Sequence, residues 1–401
     1  MLQKGNLDRF IPPMVDLSSH EDLVFVPPEI AAKRYMKRLL SCCFDARAKS
    51  INKKSNLDRS DHISLAGIRP VPRRISSTPE RCLDAPKFNG ESYVKLLDWN
   101  RENVLVIALR DTVYAWNAND GVASRLISVS DGEYITSLAW MPDGKILAVG
   151  TDQGNIQLWD GTTLNLIRHI AGHTSRIGTL SWNTNTLASG SGDSFIHHRD
   201  IRTTSQNFSP MIGHTSEVGC ISWCPGGNSL ASGGEEGLLK IWDSRRNCCR
   251  LSLVHDASVN SLVWIENKRA IIASGSRLPD GSIRLWNTSS GDQIKRVNTR
   301  SEVCSLVWSS RGKELVSSNV TSGTGGISDS FSTWRYRSMT MTNKVEIGYR
   351  GKVFHLCQSP DETMIASVGT DETLRFWRMS NAIESKKVYE EPKYTTEMYI
   401  R

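Results

Sequence analysis

Apolar and polar residues alternate in short runs through residues 89–380, and the runs recur at a nearly constant interval. In SLAWMPDGKILAVGTDQGNIQLWD, residues 137–160, three such runs are separated by Pro-Asp-Gly and Asp-Gln-Gly turn signals. Alternation with period two, bounded by turn residues, predicts half-buried strands, and a fourth strand leads each unit into the next. Trp closes the first strand at positions 99, 140, 182, 223, 264 and 308, in steps of 41, 42, 41, 41 and 44. A seventh unit begins at Val353, in VFHLCQSPDE, and puts Gln358 where the Trp would stand. A later strand carries a second series: Trp116, Trp159, Arg199, Trp242, Trp286, Trp334 and Trp377. Self-similarity at this period marks a repeat architecture. The pattern predicts an all-β fold, a seven-bladed β-propeller. Two sources are open for the outer strand of the last blade: the segment around Leu83, or residues after Asn381.

Composition and charge refine this picture. Twelve Trp against nine Phe and nine Tyr suit a fold in which a large ring meets a partner for its N–H. Of the net charge of +7, residues 1–92 supply +5, from 16 Lys/Arg against 11 Asp/Glu, so a basic stretch precedes a nearly neutral body. Its charges are interspersed with acids and no aromatic stacking platform accompanies them, which argues for a solvated or protein-docking tail and against nucleic acid. Residues 1–88 are expected to be a largely disordered basic arm and 381–401 a short C-terminal tail. Within the arm, PEIAAKRYMKRLLSCCF places Ile30, Tyr35, Leu39 and Leu40 on one helical face, a helix too short to hold without a partner. Nine Cys show no zinc-like spacing: Cys42–Cys43 and Cys248–Cys249 are adjacent, and Cys220 and Cys224 lack a second pair. Most are read as buried thiols. No apolar leader and no run of eighteen apolar residues is present, so no membrane span is expected, and a reducing nucleus and cytoplasm follow.

The units resemble the WD-repeat family at Gly172-His173, Gly213-His214, Trp159-Asp160 and Trp242-Asp243. That resemblance implies a hydrogen-bonded chain of His, strand Ser or Thr, turn Asp and closing Trp in a blade, so that buried polar groups satisfy one another. The fourth unit is read as His214, Ser222 and Trp242, with Glu236 for Asp. Recurrence of the set makes it blade glue rather than a catalytic triad, and no G-x-S-x-G nucleophile elbow is found. TSGTGGISDS, around Gly323–Gly326, lacks the Lys-Ser/Thr ending of a phosphate cradle and reads as a flexible loop. No catalytic residue, cofactor or metal site is expected.

RRISSTPERCLDAPKFNGESYVKLLDWN, residues 73–100, closely resembles the lead-in segment of the Fizzy family, activators and substrate receptors of the anaphase-promoting complex. The resemblance continues through GEYITSLAW, SGDSFIHHRDIR, SLVWSSRGKELVSS and GTDETLRFWRM, over residues 73–380. Asp8-Arg9-Phe10-Ile11-Pro12 is similar to the family's C-box and Ile400-Arg401 to its C-terminal Ile-Arg tail, both ligase-docking elements. An Arg beside apolar anchors suits an acidic groove. The Arg usual two positions after the C-box Pro is Met14 here, and RYMKRLL resembles a further ligase-contacting element.

The resemblance implies a non-enzymatic receptor for degrons borne by cyclins and anaphase inhibitors, open to checkpoint or pseudosubstrate inhibitors. It places Asp98 and Glu372 at the site for a destruction-box Arg, between first and last blades. A second site, for Lys-Glu-Asn motifs, is altered: Glu235-Glu236-Gly237 replaces an Asn-Asp-Asn turn, Leu278-Pro279-Asp280 replaces a Thr-containing turn, and Lys352 replaces an Arg. Recognition of that motif is expected to be weakened, because lost amides leave its polar groups unpaired. Thr78-Pro79 is the one Ser/Thr-Pro site of the arm, where family members carry several that cyclin-dependent kinases use to block docking. That scarcity suggests activity despite kinase, as in a meiotic member. The competing reading is a WD-repeat scaffold of another assembly, which gives no reason for the two terminal motifs to coexist.

Overall fold

The computed structural model describes residues 73–381, apart from 89–93, 131, 204–209, 266–269, 324–325 and 349–351. The chain divides into two units, Met1–Ile68 and Arg69–Arg401. The first unit lies outside the described residues, and so do Asp8–Pro12, the PEIAAKRYMKRLLSCCF segment and Ile400-Arg401.

Every regular element among the described residues is a β-strand, and the strands form seven antiparallel sheets. Blades 1 to 6 begin with inner strands Leu97–Trp99, Ile135–Trp140, Ile177–Asn183, Val218–Trp223, Val259–Ile265 and Glu302–Ser309, and blade 7 with Val353–Gln358. Each inner strand packs on the next, and that of blade 7 packs on that of blade 1, which closes the ring around a central channel. A closed ring hides the strand edges that an open sheet would expose.

Both Trp series have one packing job. Trp99 and Trp116 lie opposite Leu105, Trp223 and Trp242 opposite Leu230, and Trp308 and Trp334 opposite Leu315. Gln358 faces Ile365 in the same register, as the repeat predicts. The first series also ties blades together: Trp182 donates to the Ala139 carbonyl (3.0 Å), Trp223 to Ser181 (3.2 Å) and Trp264 to Ser222 (2.9 Å), each in the preceding blade.

Five expectations change. The arm does not extend to residue 88: Arg73–Ile75 and Arg81–Asp84 pair with Thr373–Asn381 and supply the outer strand of blade 7. That answers which segment closes the last blade. The serine of the fourth blade's polar chain is Ser232, because only the second strand faces both His214 and Trp242; Ser222 lies on the inner strand. TSGTGGISDS is a β-hairpin, formed by Glu314–Gly323 and Gly326–Arg335, whose pairing runs out to Gly323 opposite Gly326. Among the described residues, which leave out 204–209, blade 3 has three strands and, at the fourth position, a bridge between Ile196 and Met211. Of the described cysteines, Cys220 and Cys357 are buried, whereas Cys82, Cys248 and Cys249 are exposed.

Candidate functional site

The His, Ser and Asp residues are structural in three blades. In blade 5, Trp286 Nε1 donates to Ser274 Oγ (2.8 Å), Ser274 Oγ lies 2.7 Å from His255 Nε2, and His255 Nδ1 lies 3.0 Å from Asp280 Oδ2. An ionised carboxylate only accepts, so Nδ1 carries the proton and Nε2 accepts from the hydroxyl. Burial lowers the basicity of His255, against the pull of Asp280. Blade 4 repeats the chain through Trp242, Ser232, His214 and Glu236. Blade 3 keeps His173, Ser189 and Asp193, where the His173 contact overcomes burial and brings Asp193 down to about 2. Ser232 and Ser274 are fully buried, so neither hydroxyl is presented to a substrate. Among the described residues no group of three His, Cys, Asp or Glu side chains could hold a metal ion. No helix there is long and apolar enough to cross a membrane.

The seam between blades 7 and 1 is built on aromatic packing. Phe376 lies 4.3 Å from Trp116 and 5.9 Å from Trp99 between ring centroids, and the guanidinium of Arg81, on the closing strand, sits 5.4 Å above Trp116. After Asp84 the chain crosses the end of blade 7, where Ala85 N donates to the Glu372 carbonyl (2.7 Å) and buried Phe88 meets His355 edge-on at 6.4 Å.

The two carboxylates expected there do not converge. Glu372 is exposed, in the turn between the second and third strands, with φ 57°. Asp98 lies deeper, on the inner strand facing the channel. Its Oδ2 accepts the Trp140 backbone N–H (2.7 Å), and Oδ1 is 3.7 Å from Lys95 Nζ. The blade 7 residue at its level is Cys357, four positions below Val353, whose pairing with Gly369 marks the turn end. Four strand residues span roughly 13 Å, too far for two carboxylates to share one guanidinium. Asp98 acts as an inter-blade strap, as Ser181 does in the same register by accepting from Trp223 N (3.4 Å).

At the end of the channel where Glu372 lies, the residue before the inner strand of blades 4, 5 and 7 is bonded by a turn: Glu235 N donates to Glu217 O, Arg277 N to Ser258 O, and Thr370 N to Lys352 O. Their side chains make a charged rim that no local sequence pattern announced. Arg176 forks onto Glu217 (2.8 and 2.9 Å), while Glu302 takes Arg277 (2.8 Å) and Lys352 (3.6 Å). Of the residues expected at the second site, Glu235 and Leu278 are exposed and Lys352 is engaged by Glu302. Gly237 is not merely a missing amide: with φ 81°, a Cβ there would stand 2.9 Å from the His255 carbonyl oxygen.

Comparison with known proteins agrees with this architecture. Residues 83–377 match the CDC20/Fizzy WD40 domain family. The chain is 35% identical to Cell division cycle 20.5, cofactor of APC complex, from Arabidopsis thaliana, covering 98% of this chain and 90% of the relative. It is 39% identical to the anaphase-promoting complex subunit cdc20 of Dictyostelium discoideum, covering 77% of this chain and 61% of that longer protein. It is 35% identical to WD repeat-containing protein slp1 of Schizosaccharomyces pombe, covering 80% of this chain and 65% of the relative. A chain in the crystal structure of the mitotic checkpoint complex superposes with a TM-score of 0.72 at 34% identity, covering 82% of this chain and 99% of that one. The chain therefore belongs to the CDC20/Fizzy family of WD-repeat propellers.

Proposed function

We propose that this protein is a non-catalytic activator of the anaphase-promoting complex, which presents degron-bearing substrates to the ligase. The observation that carries the reading is family membership together with a closed propeller whose recurrent polar sets are spent on packing, leaving its seam and charged rim for binding. Asp8–Pro12 and Ile400-Arg401 are the two ligase tethers. Copurified ligase subunits should be lost when Ile400-Arg401 is deleted and Arg9 becomes Ala; retention would refute these tethers, and absence of ligase subunits from the wild-type preparation would favour a scaffold of another assembly.

The destruction-box Arg is assigned to the exposed end of the seam, at Glu372. Asp98 supports that seam from behind, through Trp140. A charge-assisted pair of this kind contributes about 1.5–3 kcal/mol. Capture of a destruction-box peptide should fall at least tenfold in Glu372→Lys, and equal capture would sink the assignment. Lys-Glu-Asn peptides should bind poorly, because Glu302 already engages Lys352 and Glu235 supplies a carboxylate in place of an amide. A checkpoint or pseudosubstrate inhibitor is proposed to share the seam, in keeping with the neighbour from the mitotic checkpoint complex. Action in nucleus and cytoplasm, and a specialised meiotic role, complete the proposal.

A further inference from the structure

The two half-strands that close the ring are joined by a bulge. Ile75 lies opposite Met379 and Arg81 opposite Phe376, so residues 76–80 face only Trp377 and Arg378. Ser76 N donates to Arg378 O (3.0 Å) and Glu80 N to Phe376 O (2.7 Å), which fixes both ends. Thr78 is exposed at the middle of the bulge, directly before Pro79, and its carbonyl accepts the Ser76 hydroxyl (2.8 Å). Basic residues flank the bulge and stand on the strand it faces. Arg378 forks onto Glu80 (2.9 and 2.6 Å), and Arg74, opposite Ser380, shares the face of Arg378 by the strand's period of two. Arg74 and Arg81 are both exposed at the two ends of the bulge, while Glu80 is the single acid between residues 73 and 83.

We propose that Thr78 is a phosphorylation site and that its phosphate fastens the closing strand of the propeller. A proline-directed kinase would transfer the γ-phosphoryl group of ATP to Thr78 Oγ1. The new O–P bond replaces the bond to ADP, and the hydroxyl proton leaves to the kinase's base. The phosphate brings nearly two negative charges and three acceptor oxygens into a site with surplus arginine. Arg74 and Arg378, on the face they share beside the bulge, are the partners offered to these oxygens, and Glu80 can give up one fork of Arg378 without leaving it unpaired. The result is a tighter junction between the first and last strands of the ring. This inference is independent of which ligase or substrate the propeller serves.

The test uses the full chain, phosphorylated in vitro by a proline-directed kinase with ATP and checked by mass spectrometry for phosphate on Thr78. Amide hydrogen exchange in residues 73–84 and 373–381 should slow about 3- to 10-fold, as one or two added ion pairs at an exposed site imply. The slowing should vanish in phosphorylated Arg378→Gln and diminish in phosphorylated Arg74→Gln, each compared with its own unphosphorylated form. Failure of the exposed Thr78 to accept phosphate would overturn the site. Unchanged or faster exchange, or equal slowing in both Gln variants, would overturn the fastening.

Discussion

Ser274 shows what a single side chain does here: one hydroxyl satisfies the Trp286 indole on one side and His255 on the other. Ser274→Ala leaves two buried polar groups without partners, so unfolding by denaturant should show a loss of about 2–4 kcal/mol. Asp98→Ala should cost about 1–3 kcal/mol by orphaning the Trp140 N–H, and the same denaturation experiment reads it. Asp329 is a different case. It is 4% exposed, and burial, with Asp371 nearby, pushes its carboxyl up to about 7. A folded value above the unfolded one means that the proton is held in the native state, so this contribution is full below about pH 4 and lost as pH rises through 7. Asp329→Asn should therefore stabilise the protein at pH 8 relative to wild type and flatten this part of the pH profile, measured by thermal melting. Residue identities were readable in the sequence as blade glue, but the choice between Ser222 and Ser232 required knowing which strand faces His214.

At the scale of elements, strands were legible because period-two alternation and Gly or Asp turns are local signals. The closing half-strands were legible only as one of two open sources, because RRISSTPERCLD lies in a stretch rich in charge that also reads as arm. Arg73 is 7% exposed, donating to Ser309 Oγ (3.0 Å) and the Glu362 carbonyl (2.8 Å), contacts made 236 and 289 residues away. Such a partner has no signature within reach of a local pattern. Arg73→Ala should destabilise by about 2–4 kcal/mol, through an empty space and unpaired acceptors between blades 6 and 7, as read by chemical denaturation. The hairpin of blade 6 reads as a loop in the sequence because Gly and Ser have low strand propensity. Register with the strands below it overrides that preference.

For the whole propeller, ring closure is the decisive interaction. The outer strand of blade 7 comes from residues before blade 1, so the first and last repeats cannot separate without breaking Arg73–Ile75 and Arg81–Asp84 from Thr373–Asn381. A chain starting at residue 69 should unfold in one cooperative transition, whereas one starting at residue 89 should lose cooperativity and aggregate, because it exposes the edge beside Leu374 and Phe376; denaturation and light scattering check this. By itself the sequence determined the all-β class, the seven units, their two Trp series and the family resemblance, all carried by residues within one repeat of each other. Tertiary structure alone decided which segment closes the ring, that Asp98 straps blade 1 to blade 2 rather than meeting Glu372, and which charges pair around the rim. Those outcomes depend on depth along a strand and on neighbours brought together by closure, and linear spacing carries neither.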